Sequence, residues 1–206
     1  MEHRVYVVDD DDAVRHSISR LLASDGYAAT DFPSSLAFLS HPFPSVPSCL
    51  ILDMNMPEAN GFEVAEKLAQ RGHEIPIIFL TGYGTIPMTV KAMKAGAHEF
   101  LTKPVVAEQL LKAVAEGLQL SARNFSLSCE QLELKQRHQT LTPRESEVME
   151  LAIGGLLNKQ IATALGISEI TAKVHKRRVM EKMQVRSLAD LVRAAERLNI
   201  LKAGSR

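Results

Sequence analysis

The stretch Cys49–Gly61, CLILDMNMPEANG, decides the fold class. Four apolar residues come first, Asp53 follows directly, and Pro57 belongs to a loop that ends at Gly61. A short, almost continuous apolar run of this kind is typical of a strand that is buried on both faces in a parallel sheet. Ligands of such sheets bind beyond the carboxyl ends of the strands, which is where Asp53 falls.

The same alternation of apolar runs and amphipathic stretches extends over the first 120 residues. The predicted strands are Arg4–Val8, Tyr27–Phe32, Cys49–Leu52, Ile75–Leu80 and Glu99–Leu101. The predicted helices lie near residues 12–25, 34–40, 61–71, 85–95 and 106–120. Five repeats of strand and helix predict an α/β fold with a doubly wound, five-stranded parallel sheet.

A long helical segment follows the last predicted strand. From Val105 to Gln139 the chain has one glycine and no proline. Small or apolar residues recur three and four positions apart, at Leu111, Val114, Leu118, Ser121, Phe125, Ser128 and Leu132. This spacing permits one long helix with a coiled-coil-like stripe. A helix that packs on its own domain and is followed by a loose linker fits the same residues.

After Thr140 the pattern is entirely helical. Thr142, Pro143 and Glu145 form a typical helix start, with an N-cap, a proline at the first position and a glutamate three residues after the cap. Glycines at 154 and 155 end that helix. Further helices are predicted at Asn158–Ala164, Glu169–Met183 and Ser187–Asn199. The chain is therefore expected to hold a first domain over 1–120, a linker over 121–138 and a small all-α domain over 139–206.

The net charge of zero hides a difference between the two halves. Residues 1–120 contain 9 Lys and Arg against 15 Asp and Glu, whereas residues 139–206 contain 12 against 7. An acidic half joined to a basic half indicates domains with different partners, and the basic half is a candidate for binding nucleic acid.

Membrane insertion, export and a disulfide or zinc framework are not expected. No apolar run approaches the length that spans a bilayer, and the acidic N-terminus does not resemble a signal segment. Cys49 and Cys129 lie apart from each other and from any histidine cluster. These features predict a cytoplasmic protein without a membrane partner.

Polar side chains follow four of the five predicted strands. Asp9 and Asp10 follow the first strand, Asp53 the third, Thr81 the fourth and Lys103 the fifth. Three carboxylates in one cleft repel one another, and a hard divalent cation such as Mg²⁺ relieves that repulsion. An aspartate beside Mg²⁺ and a lysine is a good phosphoryl acceptor.

The motifs that carry these residues resemble the receiver domains of two-component response regulators, from residue 4 to about 120. They are Val7-Val8-Asp9-Asp10, Leu52-Asp53-Met54-Asn55-Met56-Pro57-Glu58-Ala59-Asn60-Gly61, Thr81-Gly82 and Lys103-Pro104. Each motif closes the appropriate strand, so the four together are specific. The resemblance also implies a cis peptide bond before Pro104.

Roles for the pocket follow from this resemblance. Asp53 is the expected phosphoacceptor, and Lys103 is expected to pair with the phosphoryl group. Asp10 is expected to bind Mg²⁺ (or Mn²⁺) directly, with Asp53, and Asp9 is expected to assist through water. The backbone carbonyl of Asn55 is a further expected metal ligand.

The resemblance also implies a switch. The Thr81 hydroxyl is expected to move toward the phosphoryl group while the Phe100 ring turns inward. Gly82 leaves access for phosphate because it has no side chain. Asn55 and Tyr83 occupy positions that set the phosphoryl lifetime in the family.

The stretch Leu165–Met183 combines a turn glycine, a cap and a cluster of cations. Lys173, Lys176 and Arg177 are three and four positions apart and are expected to share one helix face. The core-facing positions are expected among Ile170, Val174, Val179 and Met183, with Val174 near the boundary of the two faces. A helix of this size after a short helix and a tight turn fits the major groove of DNA, although a basic helix face alone is often only solvated.

Three further motifs resemble the LuxR-type helix-turn-helix over residues 139–200. They are Leu141-Thr142-Pro143-Arg144-Glu145, Asn158-Lys159-Gln160-Ile161-Ala162 and Thr171-Ala172-Lys173-Val174-His175. The resemblance implies base contacts by Lys173, Val174 and Arg177, phosphate contacts by Asn158 and Lys159, and added backbone contacts by Lys176 and Arg178. Ala172 departs from the more frequent valine, and His175 is expected to pack or face phosphate. Relatives dimerise through the final helix.

Both halves together resemble the FixJ/NarL class of response regulators. This resemblance implies that a sensor histidine kinase phosphorylates Asp53. The phosphorylated protein is then expected to form a homodimer, bind double-stranded DNA at specific sequences and regulate transcription by RNA polymerase, with activation favoured. No enzyme activity is expected beyond phosphoryl acceptance and slow autodephosphorylation.

Two other classes fit parts of the sequence. A phosphatase of the haloacid-dehalogenase type also uses Asp, Mg²⁺, Thr and Lys, but it requires Asp-x-Asp after an early strand, and this chain has Asp53-Met54-Asn55 after the third. An adaptor whose helical half binds protein or RNA is the second alternative. The capped helix pair and the cationic face with Lys173 and Arg177 argue against it.

Overall fold

The computed structural model describes residues 2–57, 60–82 and 85–200. The chain divides into two compact units, Met1–Ser126 and Leu127–Arg206. Among the described residues, no helix has both the length and the apolar character that a membrane crossing requires.

The first unit is built on a five-stranded parallel sheet. Its strands are β1 (Arg4–Val8), β2 (Ala29–Phe32), β3 (Ser48–Asp53), β4 (Ile77–Thr81) and β5 (Glu99–Thr102). They lie in the order β2-β1-β3-β4-β5, and every neighbouring pair is parallel. This confirms the predicted doubly wound sheet, whose winding reverses between β1 and β3.

Helices cover both faces of this sheet. They are α1 (Asp12–Ser24), α2 (Ser35–Leu39), α3 (Gly61–Gln70), α4 (Ile86–Lys94) and α5 (Ala107–Gln139). One apolar core joins α1 and the start of α5 to the sheet through Leu22 and Leu110. A second core joins α2, α3 and α4 to the opposite face through Phe38, Val64 and Ala92. The interior strands β1, β3 and β4 are therefore buried on both faces, as their continuous apolar sequences predict.

Two strands begin later than their apolar patterns predict. Strand β2 begins at Ala29 because the N–H of Tyr27 donates to the carbonyl of Leu22 at 2.9 Å and completes the end of α1. Gly26 makes this possible with a left-handed φ of 84°. Strand β4 begins at Ile77 because the preceding Pro76 has no N–H to donate to the sheet.

Helix α5 is continuous over 33 residues and ends at Gln139, which agrees with the alternative of one long helix. The first part of its stripe packs in the first unit: Val114 and Leu118 are buried there. Ser121 is buried too, and its Oγ accepts a hydrogen bond of 2.9 Å from the N–H of Ser48. The serine that weakens the stripe as a coiled-coil seam thus satisfies a buried backbone group of β3. Later positions of the stripe, such as Leu132, are exposed.

Gly117 of α5 lies against β3 without room for a side chain. A Cβ at this position would be 2.9 Å from the Sγ of buried Cys49. We expect Gly117→Ala to destabilise the protein by about 1 kcal/mol, because overpacking outweighs the gain in helix propensity. In a Cys49→Ala background the same change should be neutral or stabilising. Urea unfolding of the wild type, the two single variants and the double variant measures the coupling, and an equal loss in both backgrounds would contradict it.

The second unit is entirely helical. It contains the end of α5, then α6 (Pro143–Ile153), α7 (Asn158–Leu165), α8 (Glu169–Met183) and α9 (Leu188–Arg197). One apolar core joins α6, α8 and α9 and includes Leu134 from the end of α5. A smaller core joins α6, α7 and α8 around Ile161 and Ala172. The predicted helix–turn–helix is present, with Gly166 in a left-handed conformation at φ 63° between α7 and α8.

The start of α6 is fixed by the predicted capping box. The Thr142 Oγ1 accepts from the N–H of Glu145 at 3.3 Å, and Glu145 Oε2 accepts from the N–H of Thr142 at 2.9 Å. Lys182, near the end of α8, also donates to Glu145 Oε2 at 2.6 Å and to the carbonyl of Thr140 at 2.9 Å. Burial raises the pKa of Glu145, but Lys182 and Thr142 lower the pKa by more, to about 2. Lys182 therefore ties α8 to the first turn of α6.

Candidate functional site

The predicted acidic pocket lies at the carboxyl edge of the sheet. Asp9 follows β1, Asp53 ends β3 and Thr81 ends β4, and all three side chains are buried. Lys103 follows β5 and precedes the cis peptide bond to Pro104 that the sequence predicts. Because all strands are parallel and β1 lies beside β3, these residues reach one cleft at the reversal of winding.

Distances confirm that the charged groups converge. The Lys103 Nζ lies 2.7 Å from Asp9 Oδ2 and 3.3 Å from Asp53 Oδ2. One carboxylate oxygen from each of Asp9, Asp10 and Asp53 lies within 4.8 Å of the other two. Asp9 and Asp53 are buried, whereas Asp10 is exposed at the mouth of the pocket. A ligand can therefore approach from the side of Asp10.

The pocket shifts the pKa values of two of its members. Burial raises the pKa of the Asp9 carboxyl, and Lys103 and the N–H of Asp11 offset only part of that effect. Burial alone would lower the pKa of Lys103, but its ion pairs with Asp9 and Asp53 together raise the pKa. Lys103 is thus held in its charged form beside Asp53.

The donor atoms fit a hard divalent cation. Three carboxylates within 4.8 Å of one another supply only oxygen ligands, and a single lysine does not balance their charge. Among the described residues, they are the one group of three or more acidic, histidine or cysteine side chains with this spacing. The structure therefore supports a site for a divalent metal.

The loop after β3 is fixed around Asp53. Asn55 and Asn60 form an isolated antiparallel bridge, and the Asn60 side chain caps α3 by accepting from the N–H of Phe62 at 3.1 Å. A Cβ at Gly61 would lie 3.2 Å from the carbonyl oxygen of Asp53. Glycine thus permits α3 to start close to the phosphoacceptor candidate. Glu58 and Ala59 lie outside the described residues.

The expected switch residues lie on β4 and β5. Thr81 is buried at the end of β4, and Phe100 is partly buried against the core that contains Phe79. A Cβ at Gly82 would meet no atom within 4 Å among the described residues, which agrees with open access at this position. Tyr83, the second residue expected to set the phosphoryl lifetime, lies outside the described residues.

Arg15 is a member of this region that sequence analysis missed. It is 6% exposed, and its guanidinium donates to the Asp9 carbonyl at 2.8 Å and to Asp31 Oδ2 at 3.0 Å. It also pairs with Asp12. The available signal for its burial was its position in the sequence, three residues before the buried Ile18 and seven before Leu22. This spacing places Arg15 on the apolar face of α1, next to a run of aspartates.

The predicted DNA-facing residues of α8 lie mostly on its exposed side. Lys173, Val174, Arg177 and Arg178 are exposed, whereas Lys176 is half-buried. Arg177 Nε forms an exposed ion pair with Glu181 Oε1 at 2.7 Å.

Ile170, one of the four candidates for a core-facing position, does not face the core. Ile170 is 78% exposed and Val174 is 44% exposed. The buried residues of α8 are Ala172, Val179 and Met183. In the first turns of the helix Ala172, and not Ile170, packs against the core. The departure from the more frequent valine at 172 thus falls inside the smaller core.

The remaining predicted contacts lie at the start of α7 and in the middle of α8. Lys159 is exposed, and Asn158, the first residue of α7, is half-buried. The buried Asn158 Oδ1 and His175 Nδ1 have no hydrogen-bond partner among the described residues. His175 is not part of any cluster of potential metal ligands in that part of the chain.

Two family models match the chain. The response regulator receiver domain matches residues 5–115, and the LuxR family of bacterial regulatory proteins matches residues 139–195. These matches fall on the sheet with the acidic pocket and on the helices α6 to α9.

Similar proteins and structures match this chain over most of its length. The chain is 46% identical to the response regulator protein TmoT of Ectopseudomonas mendocina over 96% of this chain and 90% of that protein. It is 41% identical to the transcriptional regulatory protein FixJ of Azorhizobium caulinodans, over 93% and 90%. The solved structure of the response regulator StyR is 47% identical, with a TM-score of 0.87, over 95% of this chain and 99% of that one. The chain therefore belongs to the FixJ-type response regulators, transcription regulators that join a receiver domain to a LuxR-type DNA-binding domain.

Proposed function

We propose that Asp53 accepts a phosphoryl group from the phosphohistidine of a sensor histidine kinase and that this controls DNA binding. The observation that carries the proposal is the buried Asp53 carboxylate, 3.3 Å from the ammonium of Lys103 and within 4.8 Å of two further carboxylates. A carboxylate oxygen of Asp53 forms the new bond to phosphorus. The bond from phosphorus to the histidine nitrogen breaks, and that nitrogen keeps the electron pair.

Different groups around Asp53 would bind the metal ion and the phosphoryl oxygens. Asp9, Asp10, Asp53 and the backbone carbonyl of Asn55 would hold Mg²⁺ or Mn²⁺, which when bound offsets negative charge on the phosphoryl oxygens. Lys103 would neutralise another phosphoryl oxygen. It must first exchange its ion pair with Asp9 for one with the phosphoryl group.

Thr81 and Phe100 would couple phosphorylation of Asp53 to a change at the surface of the receiver domain. In this proposal the Thr81 hydroxyl donates to a phosphoryl oxygen, and the Phe100 ring turns further into the core of the sheet. Asn55 and Tyr83 would set how long the phosphoryl group remains. The group ends on the protein and leaves only by slow autodephosphorylation, so the chain acts as a switch and not as an enzyme with turnover.

The second unit would bind DNA. Lys173, Val174 and Arg177 would contact bases in the major groove, and Asn158, Lys159, Lys176 and Arg178 would contact the phosphate backbone. We propose that the phosphorylated protein forms a homodimer, binds double-stranded DNA in the cytoplasm and activates transcription by RNA polymerase. The receiver would comprise residues 1–120 and the DNA-binding domain residues 139–206, with 121–138 as a helical linker. The two family matches support these boundaries.

Two lysine variants test the proposed DNA interface. We expect Lys173→Ala to weaken binding to the preferred DNA sequence by about 1–3 kcal/mol and to reduce the preference over random DNA. Lys159→Ala should weaken binding to both DNAs alike and make binding less dependent on salt, since fewer counterions are released. Titration of the phosphorylated protein with labelled duplexes at several salt concentrations measures both effects.

A matched control is Lys67→Ala, which removes an exposed lysine from α3 in the receiver. It should leave both affinities unchanged. Equal losses on preferred and random DNA for Lys173→Ala and Lys159→Ala would contradict the division into base and phosphate contacts. Binding without dependence on salt would favour an adaptor that binds protein.

A further inference from the structure

Ile170 is an apolar side chain that the fold of the second unit does not use. It is 78% exposed, and it belongs to neither of the two apolar cores found among the described residues of that unit. It lies in the first turn of α8, directly after Glu169 and the N-cap Ser168. Burial of this side chain therefore contributes almost nothing to the folded state of the isolated chain.

The position of Ile170 on α8 places it among the cationic residues. Successive helical residues rotate by about 100°, so Ile170 lies within about 20° of Arg177 and about 40° of Val174 around the axis. Lys173 lies one turn further along on the same side. The buried residues Ala172, Val179 and Met183 lie on the other side of the helix. Ile170 and Val174 thus form a narrow apolar strip within the face that carries Lys173 and Arg177.

The charge of this face selects DNA as the occupant of the strip. Lys173, Arg177 and Arg178 are exposed around it, and they complement phosphate groups on either side of a groove. The first residues of a recognition helix contact base edges when the helix lies in the major groove. The 5-methyl group of thymine is the apolar feature that bases present there, and small apolar side chains contact it.

We propose that Ile170 reads the 5-methyl group of a thymine and is a specificity-determining residue of this regulator. The proposal rests on the DNA-binding function proposed above and adds the chemical group that is recognised. Ile170 distinguishes thymine from cytosine at one position of each half-site. Val174, one turn later, contacts a different position.

Uracil substitution tests the contact directly. The full-length protein, phosphorylated with acetyl phosphate and Mg²⁺, is first used to select its preferred duplex from random sequences. Each thymine of that duplex is then replaced by deoxyuridine, which removes the methyl group and keeps every hydrogen-bonding atom. We expect wild-type protein to lose about four-fold in affinity at a thymine in each half-site, as burial of one methyl-sized group implies.

The variants assign that loss to a side chain. Ile170→Ala should bind the thymine duplex about four-fold more weakly than wild type and no longer distinguish thymine from uracil at that position. Val174→Ala should keep this discrimination and lose it at another thymine. Leu36→Ala, which removes a 69% exposed leucine from α2, should change nothing.

The outcomes separate this inference from the function on which it rests. If Ile170→Ala distinguishes thymine from uracil at every position as wild type does, the inference is overturned although sequence-specific binding persists. If wild-type protein selects no duplex at all, the proposed function itself fails. Because Ile170 is exposed, the variant should unfold at the wild-type temperature, which excludes a folding defect as the cause.

Discussion

Asp53→Asn is expected to abolish phosphoryl labelling of this protein. Asparagine keeps the size of the side chain but has no anionic oxygen to attack phosphorus, so the buried pocket beside Lys103 loses its acceptor. Wild-type protein should be labelled by radioactive acetyl phosphate when Mg²⁺ is present and lose that labelling in EDTA. Lability of the labelled product to both hydroxylamine and alkali identifies an acyl phosphate and excludes phosphoserine and phosphohistidine.

Two controls make this result specific. Asp25→Asn changes an exposed aspartate at the end of α1 and should be labelled like wild type. Asp10→Asn should still accept phosphate but require much more Mg²⁺, because it removes one of the three clustered carboxylates. Full labelling of Asp53→Asn would place the acceptor elsewhere. Sustained turnover of phosphomonoesters by the wild type would favour a phosphatase instead.

The second large effect is expected at Lys182. Lys182→Met should destabilise the DNA-binding unit by about 3 kcal/mol, because it leaves the buried Glu145 carboxylate without its cation. Glu145→Gln should cost less, since the amide oxygen can still accept from the N–H of Thr142 and the half-exposed Lys182 can be solvated. Urea unfolding followed by hydrogen exchange of peptides from α6 and α8 measures both losses. Similar losses for both variants would contradict this account.

The same ion pair predicts how stability depends on pH. Glu145 has a pKa of about 2 in the folded protein, against 4.5 as its ordinary value. A lowered pKa stabilises the fold above the ordinary value, and this contribution is lost as the pH falls from 4.5 through 2. The loss amounts to about 3 kcal/mol over that window. Lys182→Met should lose clearly less over the same window, which circular dichroism in urea at several pH values can show.

Much of the fold could be predicted because its signals are local. Continuous apolar runs are sufficient to identify strands buried on both faces, and Thr142 with Glu145 identifies the start of a helix. The parallel order then brings Asp9, Asp53 and Lys103 together without any knowledge of side-chain contacts.

The misses have a different physical origin, since they depend on partners that are distant in the sequence. Arg15 depends on Asp31, Ser121 on Ser48, and Lys182 on Glu145. The position of Arg15 on the apolar face of α1 is a local signal of its burial, but no local pattern identifies any of these three partners. The exposure of Ile170 depends on which side of α8 packs against the smaller core. The spacing of the apolar residues along α8 fits more than one side of the helix. Only the packed structure chooses between them.

The separation of exposed and buried lines along α8 has a consequence for how such regulators diverge. Ala172, Val179 and Met183 are buried and maintain the domain, whereas Ile170 is 78% exposed and Val174 is 44% exposed. Substitutions at the two exposed positions can therefore accumulate in a duplicated copy without loss of the folded domain. A new regulator could acquire its own target promoters through these positions while it keeps the same receiver.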